Sequence, residues 1–281
     1  MSLPDLRLVA VDMDGTLLDE HGHVPDRLWH LLHMMHERGI AFVPASGRQY
    51  ATLRNTFDAV ADELSFIAEN GTYVVHDGHE VSSSTLEPSF VRSVLDDVRR
   101  LAREGVDVGV VLCGKDVAYT DRDDEPFLEE TAKYYFSRET VRDLADHNDD
   151  VIKIAVFEFG DIERDVEPAL ARHRPDHQVV VSGGHWVDIM AADVNKGTAL
   201  RALQRALDVT PAQTAAFGDY LNDLEMLEAA DLSYAVANAH PEIARVARFR
   251  APSNAEQGVI TVLEQLLGLE TGTDRISAAR R

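Results

Sequence analysis

Two aspartates follow a short apolar segment near the start of this sequence, and their spacing is the first feature that could do chemistry. Residues 8–11, Leu-Val-Ala-Val, predict a buried strand that runs directly into Asp12 and Asp14. Strand side chains alternate between faces, so carboxylates two positions apart lie on the same side and repel each other, more strongly where water is excluded. We therefore expect a positive group to lie between them.

Three further polar stretches occur where an α/β sheet places its ligands. "PASGR" ends the second predicted strand, "NKGTAL" opens a predicted helix, and "GDYLND" ends a later strand. The polar or flexible residues in these stretches are Ser46, Gly47, Lys196, Asp219, Asn222 and Asp223. Because the carboxyl ends of parallel strands meet at one edge of such a sheet, we expect these residues to share one site with the first pair.

The residue types at these places indicate phosphate chemistry. With Asp219 as a third oxygen donor, three carboxylates among hydroxyl and backbone groups form an oxygen-rich pocket suited to Mg²⁺. Mg²⁺ and Lys196 would neutralise the Asp12 and Asp14 pair, and the remaining hydroxyl, amide and backbone N–H groups would hold an anion. The single cysteine, Cys113, is expected in the core, and no activated serine is evident. A carboxylate is therefore the available nucleophile.

The elements that must position these residues divide the chain into an α/β part and an insert. Strands alternate with helices before the polar stretch "SSSTLEP" at 82–88, which indicates a linker, and the alternation returns near "NKGTAL". Paired strands with helices between these points suggest a separate α+β unit. The sequence predicts an α/β fold with a doubly wound, Rossmann-like parallel-sheet core, 1–85 and 189–281, interrupted by an α+β domain, 86–188.

Composition restricts the class of partner. The formal net charge of −22 and a sequence pI near 4.8 argue against nucleic acid and against membrane surfaces, but they allow a small anionic molecule held by a metal and a few basic groups. One cysteine cannot form an internal disulfide, and no apolar run approaches the ~18 residues that a membrane span needs. With no signal-peptide pattern, we expect a cytoplasmic protein without an obligatory protein partner.

The motifs resemble those of a known family. "DMDGT", "SGR", "NKG" and "GDYLND" are similar to the four motifs of the haloacid dehalogenase (HAD) superfamily of phosphatases. The insert between the second and third motifs resembles the C2 type of cap found in the Cof-type subfamily (type IIB), and "ENGTYVV" and "SNAEQGV" also resemble that subfamily. The resemblance implies a Mg²⁺-dependent phosphatase that hydrolyses phosphate monoesters of small metabolites, such as sugar phosphates, through an aspartyl-phosphate.

The resemblance also implies a role for each matching residue. Asp12 is the nucleophile and Asp14 the general acid and base, and both contribute to the Mg²⁺ site, Asp14 through its backbone carbonyl. The residues assigned to phosphate or substrate are Met13, Ser46, Gly47, Lys196 and Asn222. Asp219 binds the metal directly, whereas Asp223 is either a further ligand or a neighbour of the ligands. An acid that only favours the dipole of the following helix stays an alternative for Asp223.

Other functions stay open at this point. A sugar phosphomutase of the same superfamily would return the phosphoryl group to a sugar instead of to water. A receiver-like signalling module also combines clustered aspartates, a hydroxyl, a lysine and Mg²⁺, although the chain length, the insert and Asp14-Gly15-Thr16 after the first strand disfavour it. A non-catalytic phosphate-binding protein is disfavoured because a nucleophile and an acid/base residue are both present.

Overall fold

The chain forms two compact units in a computed structural model that describes residues 3–147 and 149–269. The first unit combines Met1–Phe42 with Val209–Arg281, and the second is Val43–Asp208. None of the helices in the described ranges has the length and apolar character that crossing a bilayer requires.

Short strands and helices alternate in both units. The strands are β1 (Leu8–Asp12), β2 (Ala41–Ala45), β3 (Ser65–Ala68), β4 (Tyr73–His76), β5 (His79–Ser83), β6 (Val108–Cys113), β7 (Ala118–Thr120), β8 (Arg138–Thr140), β9 (Lys153–Glu158), β10 (His177–Gly183), β11 (Trp186–Ala191), β12 (Thr214–Gly218), β13 (Leu232–Val236) and β14 (Phe249–Ala251). The helices are α1 (Arg27–Glu37), α2 (Tyr50–Thr56), α3 (Pro88–Arg103), α4 (Glu125–Ala132), α5 (Ile162–Asp165), α6 (Glu167–Leu170), α7 (Lys196–Leu207), α8 (Leu224–Glu228), α9 (Pro241–Val246) and α10 (Gly258–Leu266).

Parallel strands form the centre of the first unit. β1 pairs in parallel with β12, β12 with β13, and β13 with β14. Every residue of β1 and β12 is buried, as expected for strands of a parallel sheet with both faces covered. The register places Val11 opposite Phe217, so the carboxyl ends of β1 and β12 lie side by side.

The first helix, α1, buries one apolar stripe of side chains in this unit. The sequence predicts a helix over 26–38, and α1 occupies Arg27–Glu37. It buries Leu28, Leu31, Leu32 and Met35, which recur at helical spacing, and each such side chain contributes roughly 1.5–3 kcal/mol when fully buried. The helix ends as predicted before a glycine, because Gly39 adopts a φ of +66°.

In the second unit, a short antiparallel ribbon follows a parallel pair. The end of β2 pairs in parallel with β3, at Ala45 and Ile67, and β3, β4 and β5 follow in antiparallel order. The sequence "ENG" between β3 and β4 predicts a turn. The structure confirms it and shows a left-handed backbone there, with φ of +49° at Glu69 and +57° at Asn70.

A six-stranded sheet forms the rest of the second unit. Its strand order is β10-β11-β9-β6-β7-β8, antiparallel except for the parallel pair β7 and β8. Alternate strand residues such as Val110 and Val156 share one hydrophobic cluster with the apolar face of α3, including Val94. The other alternate residues, such as Phe157 and Trp186, belong to a second, aromatic cluster. The central strands β6 and β9 are therefore buried on both faces.

The α/β class is confirmed, while several element boundaries correct the prediction. The stretch predicted as a linker, 82–88, contains the end of β5 and the start of α3. β7, β8 and α4 are not predicted, because they are only three to eight residues long and all of β8 is exposed, which leaves no apolar pattern. The domain boundaries 86 and 188 stay a prediction.

Candidate functional site

Asp12 and Asp219 follow neighbouring strands of the first unit. Asp12 is the last residue of β1 and is buried, with only 6% of its surface exposed. Asp219 comes directly after β12, whose carboxyl end lies beside that of β1. The parallel register thus explains why residues so distant in sequence lie close together.

Asp14 lies in a turn, not in the strand. β1 ends at Asp12, and residues Met13–Leu17 form an irregular turn in which Leu18 donates a backbone hydrogen bond to the Met13 carbonyl. The Asp14 side chain is exposed whereas Asp12 is buried. Strand alternation therefore does not orient Asp14 as the sequence predicts. The Met13 side chain is fully buried, so only its backbone can serve a ligand.

Gly15 and Thr16 fit this turn against Asp219. Gly15 has a φ of +80°, and a Cβ at this position would lie 2.4 Å from the Asp219 Oδ2 atom, so both conformation and space require glycine. The Thr16 hydroxyl donates a hydrogen bond of 3.1 Å to Asp219 Oδ1. Asn238 donates from its side-chain amide to the Gly15 carbonyl at 2.7 Å. The Gly15 and Thr16 contacts join the turn after β1 to the loop after β12, and the Asn238 contact joins the same turn to the segment after β13.

Asp223 supports the loop that carries Asp219. Its side chain is fully buried, and its Oδ2 atom accepts hydrogen bonds from the backbone N–H groups of Asp219 (3.0 Å) and Tyr220 (3.2 Å). An acid that acted only on the helix dipole would need no such contacts. The Asn222 side chain, one residue earlier, is exposed.

Three of these carboxylates form a group that fits a metal ion. Asp12, Asp219 and Asp223 each offer one carboxylate oxygen, and the three oxygens lie within 4.8 Å of one another. All three donors are hard oxygen atoms, the type that Mg²⁺ prefers, and two of the three residues are buried. Asp14 could join such a site only through its backbone, since its side chain is not part of the group.

Ser46 and Gly47 lie against the turn that follows β3 in the second unit. Ser46 is buried, comes directly after β2, and accepts a backbone hydrogen bond of 2.9 Å from Asn70 at its carbonyl. Its Oγ atom accepts from the Arg48 N–H at 3.2 Å. A Cβ on Gly47 would lie 3.0 Å from the Asn70 side-chain nitrogen. The backbone at Ser46 and Gly47 is therefore closely packed against Asn70.

Lys196 begins α7 and lies beside the same turn. Its side chain is fully buried, and the preceding Asn195 caps the helix by accepting a hydrogen bond from the Thr198 N–H at 2.7 Å. Gly71, the last residue of the turn, has a φ of +104°, and a Cβ there would lie 2.5 Å from the Asn195 carbonyl oxygen. One turn, Glu69–Gly71, thus contacts both phosphate-binding segments predicted in this unit.

Several residues around these groups are missed by sequence reasoning. Asn70 and Asn238 make the contacts described above. Their signal in the sequence was that each asparagine comes shortly after a strand, β3 and β13 respectively. Lys153 lies buried in "VIKIAVFEF", where a lysine between apolar residues was the signal. Its partner Glu69, in "ENG", carries no such signal because acids are common in turns.

Known proteins resemble this chain over most of its length. Residues 9–263 match the family model described as haloacid dehalogenase-like hydrolase. The chain is 33% identical over 277 residues to 5-amino-6-(5-phospho-D-ribitylamino)uracil phosphatase YbjI of Escherichia coli (strain K12), covering 96% of this chain and 99% of that protein. It is 29% identical to HMP-PP phosphatase of Cronobacter sakazakii, covering 84% of this chain and 86% of that protein.

A solved structure shares the fold. The sugar phosphatase BT4131, of HAD subclass IIB, matches with a TM-score of 0.73, covering 94% of this chain and 100% of its own. The sequence identity is 19%, so this likeness concerns the arrangement of strands and helices.

Proposed function

The chain belongs to the haloacid dehalogenase-like hydrolase family and is a Cof-type phosphatase, and from that premise we propose that it hydrolyses phosphate monoesters of small metabolites with Mg²⁺ and an aspartyl-phosphate on Asp12. The observation that carries the proposal is the group of three carboxylates, Asp12, Asp219 and Asp223, whose oxygens lie within 4.8 Å of one another. Three clustered anions in a mostly buried place favour a divalent cation.

Asp12 performs the first step. Its carboxylate oxygen attacks the phosphorus atom, the bond from phosphorus to the ester oxygen breaks, and that oxygen leaves with a proton from Asp14. Asp14 suits this role because its exposed side chain can exchange protons with solvent and because it follows the nucleophile by two residues. In the second step Asp14 removes a proton from the water that cleaves the aspartyl-phosphate.

The charge of the phosphoryl group is balanced by several groups. Mg²⁺, when bound by Asp12, Asp219 and Asp223, neutralises negative charge that develops during transfer. We assign Ser46, Gly47 and Lys196 to the phosphoryl oxygens, with the Met13 backbone and Asn222 as further contacts. The burial of Ser46 and Lys196 supports this assignment, because a hydroxyl and an ammonium group are stronger donors where water is excluded.

The names of two relatives support a proposal for the substrate class. One relative's name specifies a phosphorylated ribityl chain on a uracil ring, and another is named for HMP-PP. We propose a phosphorylated sugar or sugar alcohol, free or attached to a heterocycle, as the substrate of this chain. The protein would act in the cytoplasm, where its one buried cysteine stays reduced.

The insert is proposed to restrict the substrate to small molecules. The predicted boundaries of the core, 1–85 and 189–281, and of the α+β cap, 86–188, are retained in this proposal. Their support is the six-stranded sheet between β6 and β11, which has its own hydrophobic cluster with α3. A cap of this kind admits small phosphate esters and excludes folded phosphoproteins.

The test is phosphate release from a panel of phosphate esters with Mg²⁺, using the wild type and Asp12→Asn. We expect Asp12→Asn to lower turnover by roughly 10⁴-fold or more, because an amide cannot form the acyl phosphate. Asp188→Asn, which changes a buried aspartate of the second unit, is the matched control and should keep turnover within about tenfold. Steady phosphate release by folded Asp12→Asn contradicts the proposal, as does an isomerised sugar phosphate without free phosphate.

A further inference from the structure

Three charged side chains of the second unit form a buried cluster outside the groups assigned above. Lys153 Nζ lies 2.5 Å from a carboxylate oxygen of Glu69 and 3.7 Å from one of Asp188. The three residues are 4%, 1% and 7% exposed, respectively. Among the residues that the structure describes, Lys153 makes the only ion pair with Glu69, and no other group donates a hydrogen bond to either Glu69 oxygen.

The groups around this cluster are fully enclosed. Tyr135 lies with its ring centroid 5.6 Å from Lys153 Nζ, and its hydroxyl accepts a weak hydrogen bond from the Cys113 thiol. Burial raises the pKa of Glu69. Burial alone would lower the pKa of Lys153, but the charges of Asp188 and Glu69 raise it well above its ordinary value. Burial thus opposes the charged form of Glu69, while the two neighbouring acids favour the charged form of Lys153.

A buried ion pair of this kind needs a reason other than stability. Its desolvation penalty offsets most of its attraction, and apolar residues of similar volume often stabilise a fold as well. An ion pair adds geometric specificity, because it fixes the charged group of one partner relative to that of the other. The question is therefore which part of the molecule this pair fixes.

Glu69 opens the turn that contacts both phosphate-binding segments. Its backbone N–H donates to the Arg48 carbonyl at 3.0 Å, and the next residue, Asn70, donates to the Ser46 carbonyl at 2.9 Å. At the other end of the turn, Gly71 packs on the Asn195 carbonyl, one residue before Lys196. The left-handed backbone of Glu69 and Asn70 is unfavourable for residues with a side chain and persists only where neighbouring contacts impose it.

We propose that Lys153 is a positioning residue, which anchors Glu69 to strand β9 and thereby holds the turn Glu69–Gly71 in the shape that places Ser46, Gly47 and Lys196 for phosphate. The inference rests on the proposed function, which assigns these three residues to the phosphoryl group. It adds two residues, from separate parts of the second unit, on which phosphate binding depends although neither touches phosphate.

The first test measures the inhibition constant of inorganic phosphate and the KM of one phosphate ester in Glu69→Ala. Lys153 keeps Asp188 as a partner in this variant, so the cation is not left alone. We expect both constants to rise by roughly 10- to 100-fold, the size typical for groups that orient a ligand-binding residue, with a smaller change in kcat. Glu69→Gln retains a hydrogen-bond acceptor for Lys153 and should recover most of the loss.

A matched control and a reference variant accompany this test. Lys115 pairs with Glu80 at 2.9 Å in the same unit but does not contact the turn, so Lys115→Met should leave both constants unchanged. Ser46→Ala should raise both constants, because it removes a proposed ligand. If Ser46→Ala raises them and Glu69→Ala does not, the positioning inference is overturned and the proposed function stands. If Ser46→Ala has no effect, the proposed phosphate site itself is wrong.

The second test uses pH to separate positioning from simple support. In Lys153→Met, Glu69 has lost its cation. We expect Glu69 to stay neutral at low pH and to ionise as pH rises, and its buried charge should then open the turn. The phosphate inhibition constant, divided by the wild-type value at each pH, should therefore increase with pH. This ratio should not increase with pH in Glu69→Gln/Lys153→Met, because the residue at position 69 can no longer ionise. Asp188→Asn/Lys153→Met should still show the increase.

Each outcome of the second test decides the inference. If Lys153→Met does not fold, the neutral pair Glu69→Gln/Lys153→Met replaces it and should show a raised phosphate constant at every pH. A ratio that stays flat in folded Lys153→Met overturns the inference. So does an increase that Asp188→Asn abolishes and Glu69→Gln does not, because Asp188 would then be the responsible group.

Discussion

The two compact units each contain a cluster of acidic side chains, and the clusters differ in the residues that compose them. In the first unit Asp12, Asp219 and Asp223 gather three carboxylates. In the second unit Glu69 and Asp188 both lie near Lys153, so this cluster includes a lysine. Both clusters are largely removed from water, where unbalanced charge is most costly.

Because of this difference, we assign a binding site to the first cluster and a supporting role to the second. In the second cluster Lys153 lies near both acids, and we propose that it fixes the elements on which they lie. In the first cluster, Thr16 and backbone N–H groups hold the carboxylates, and we propose that these carboxylates bind a divalent cation. The residue types alone do not distinguish the two clusters, because both clusters bring together acids from distant parts of the sequence.

The largest effect expected beyond the nucleophile itself is on the rate and belongs to Asp14, which lies in neither cluster. Asp14→Asn should slow release of a sugar leaving group by ~10²- to 10⁴-fold, because a basic alkoxide needs a proton, and should affect an activated aryl phosphate much less. Breakdown of the aspartyl-phosphate should be slow with both esters. Rapid-quench kinetics with the aryl ester should then show a burst as phosphoenzyme accumulates.

Asp12→Asn is the control for that experiment and should show no burst. Equal slowing of both leaving groups without a burst would mean that Asp14 is not the acid. Unchanged turnover would mean that Asp14 takes no part in the reaction, and the proposed proton donor would then be wrong.

The next effect is on stability and belongs to the second cluster. Lys153→Met leaves Glu69 buried without a cation and should lower the free energy of unfolding by roughly 3–5 kcal/mol at neutral pH. Since burial raises the pKa of Glu69, the loss should shrink at lower pH, where the folded protein binds the proton that neutralises it. Urea unfolding at pH 5 and pH 8 measures both values. A loss that is larger at pH 5 would contradict this balance of charge.

The smallest effect concerns one hydrogen bond of the first cluster. Thr16→Val removes the donor to Asp219 Oδ1 and should weaken Mg²⁺ binding about tenfold, which corresponds to about 1.4 kcal/mol. Thr214→Val is the control, because Thr214, the first residue of β12, is equally buried but donates to the backbone carbonyl of Thr210. It should lose stability without losing affinity for Mg²⁺. Equal losses of affinity in both variants would show that the Thr16 contact has no special role.

The first cluster could largely be predicted from sequence because its members occupy characteristic positions at strand ends. Asp12 and Asp219 each follow an apolar segment, and the parallel pairing of β1 and β12 then brings them together. Cys113 is fully buried, as its apolar surroundings predict. The orientation of Asp14 could not be predicted, because the strand ends two residues earlier and Gly15 turns the chain with a positive φ.

The second cluster could not be predicted, although one of its residues was conspicuous. Lys153 interrupts an apolar strand, which suggests a buried partner, but nothing local identifies that partner as Glu69 in a distant turn. The pairing depends on the packing of the six-stranded sheet, whose short strands β7 and β8 also lack a clear hydrophobic pattern. Interactions set by tertiary packing leave little trace in local sequence.

The most direct test of the contrast between the clusters is a calorimetric titration of the metal-free protein with Mg²⁺. One aspartate is changed in each cluster, Asp219→Asn in the first and Asp188→Asn in the second. We predict that the wild type and Asp188→Asn bind one Mg²⁺ per chain, and that Asp219→Asn binds it at least roughly 10²-fold more weakly, because a direct ligand is lost. Wild-type affinity in Asp219→Asn, or an equal loss in Asp188→Asn, would contradict the assignment of the metal site.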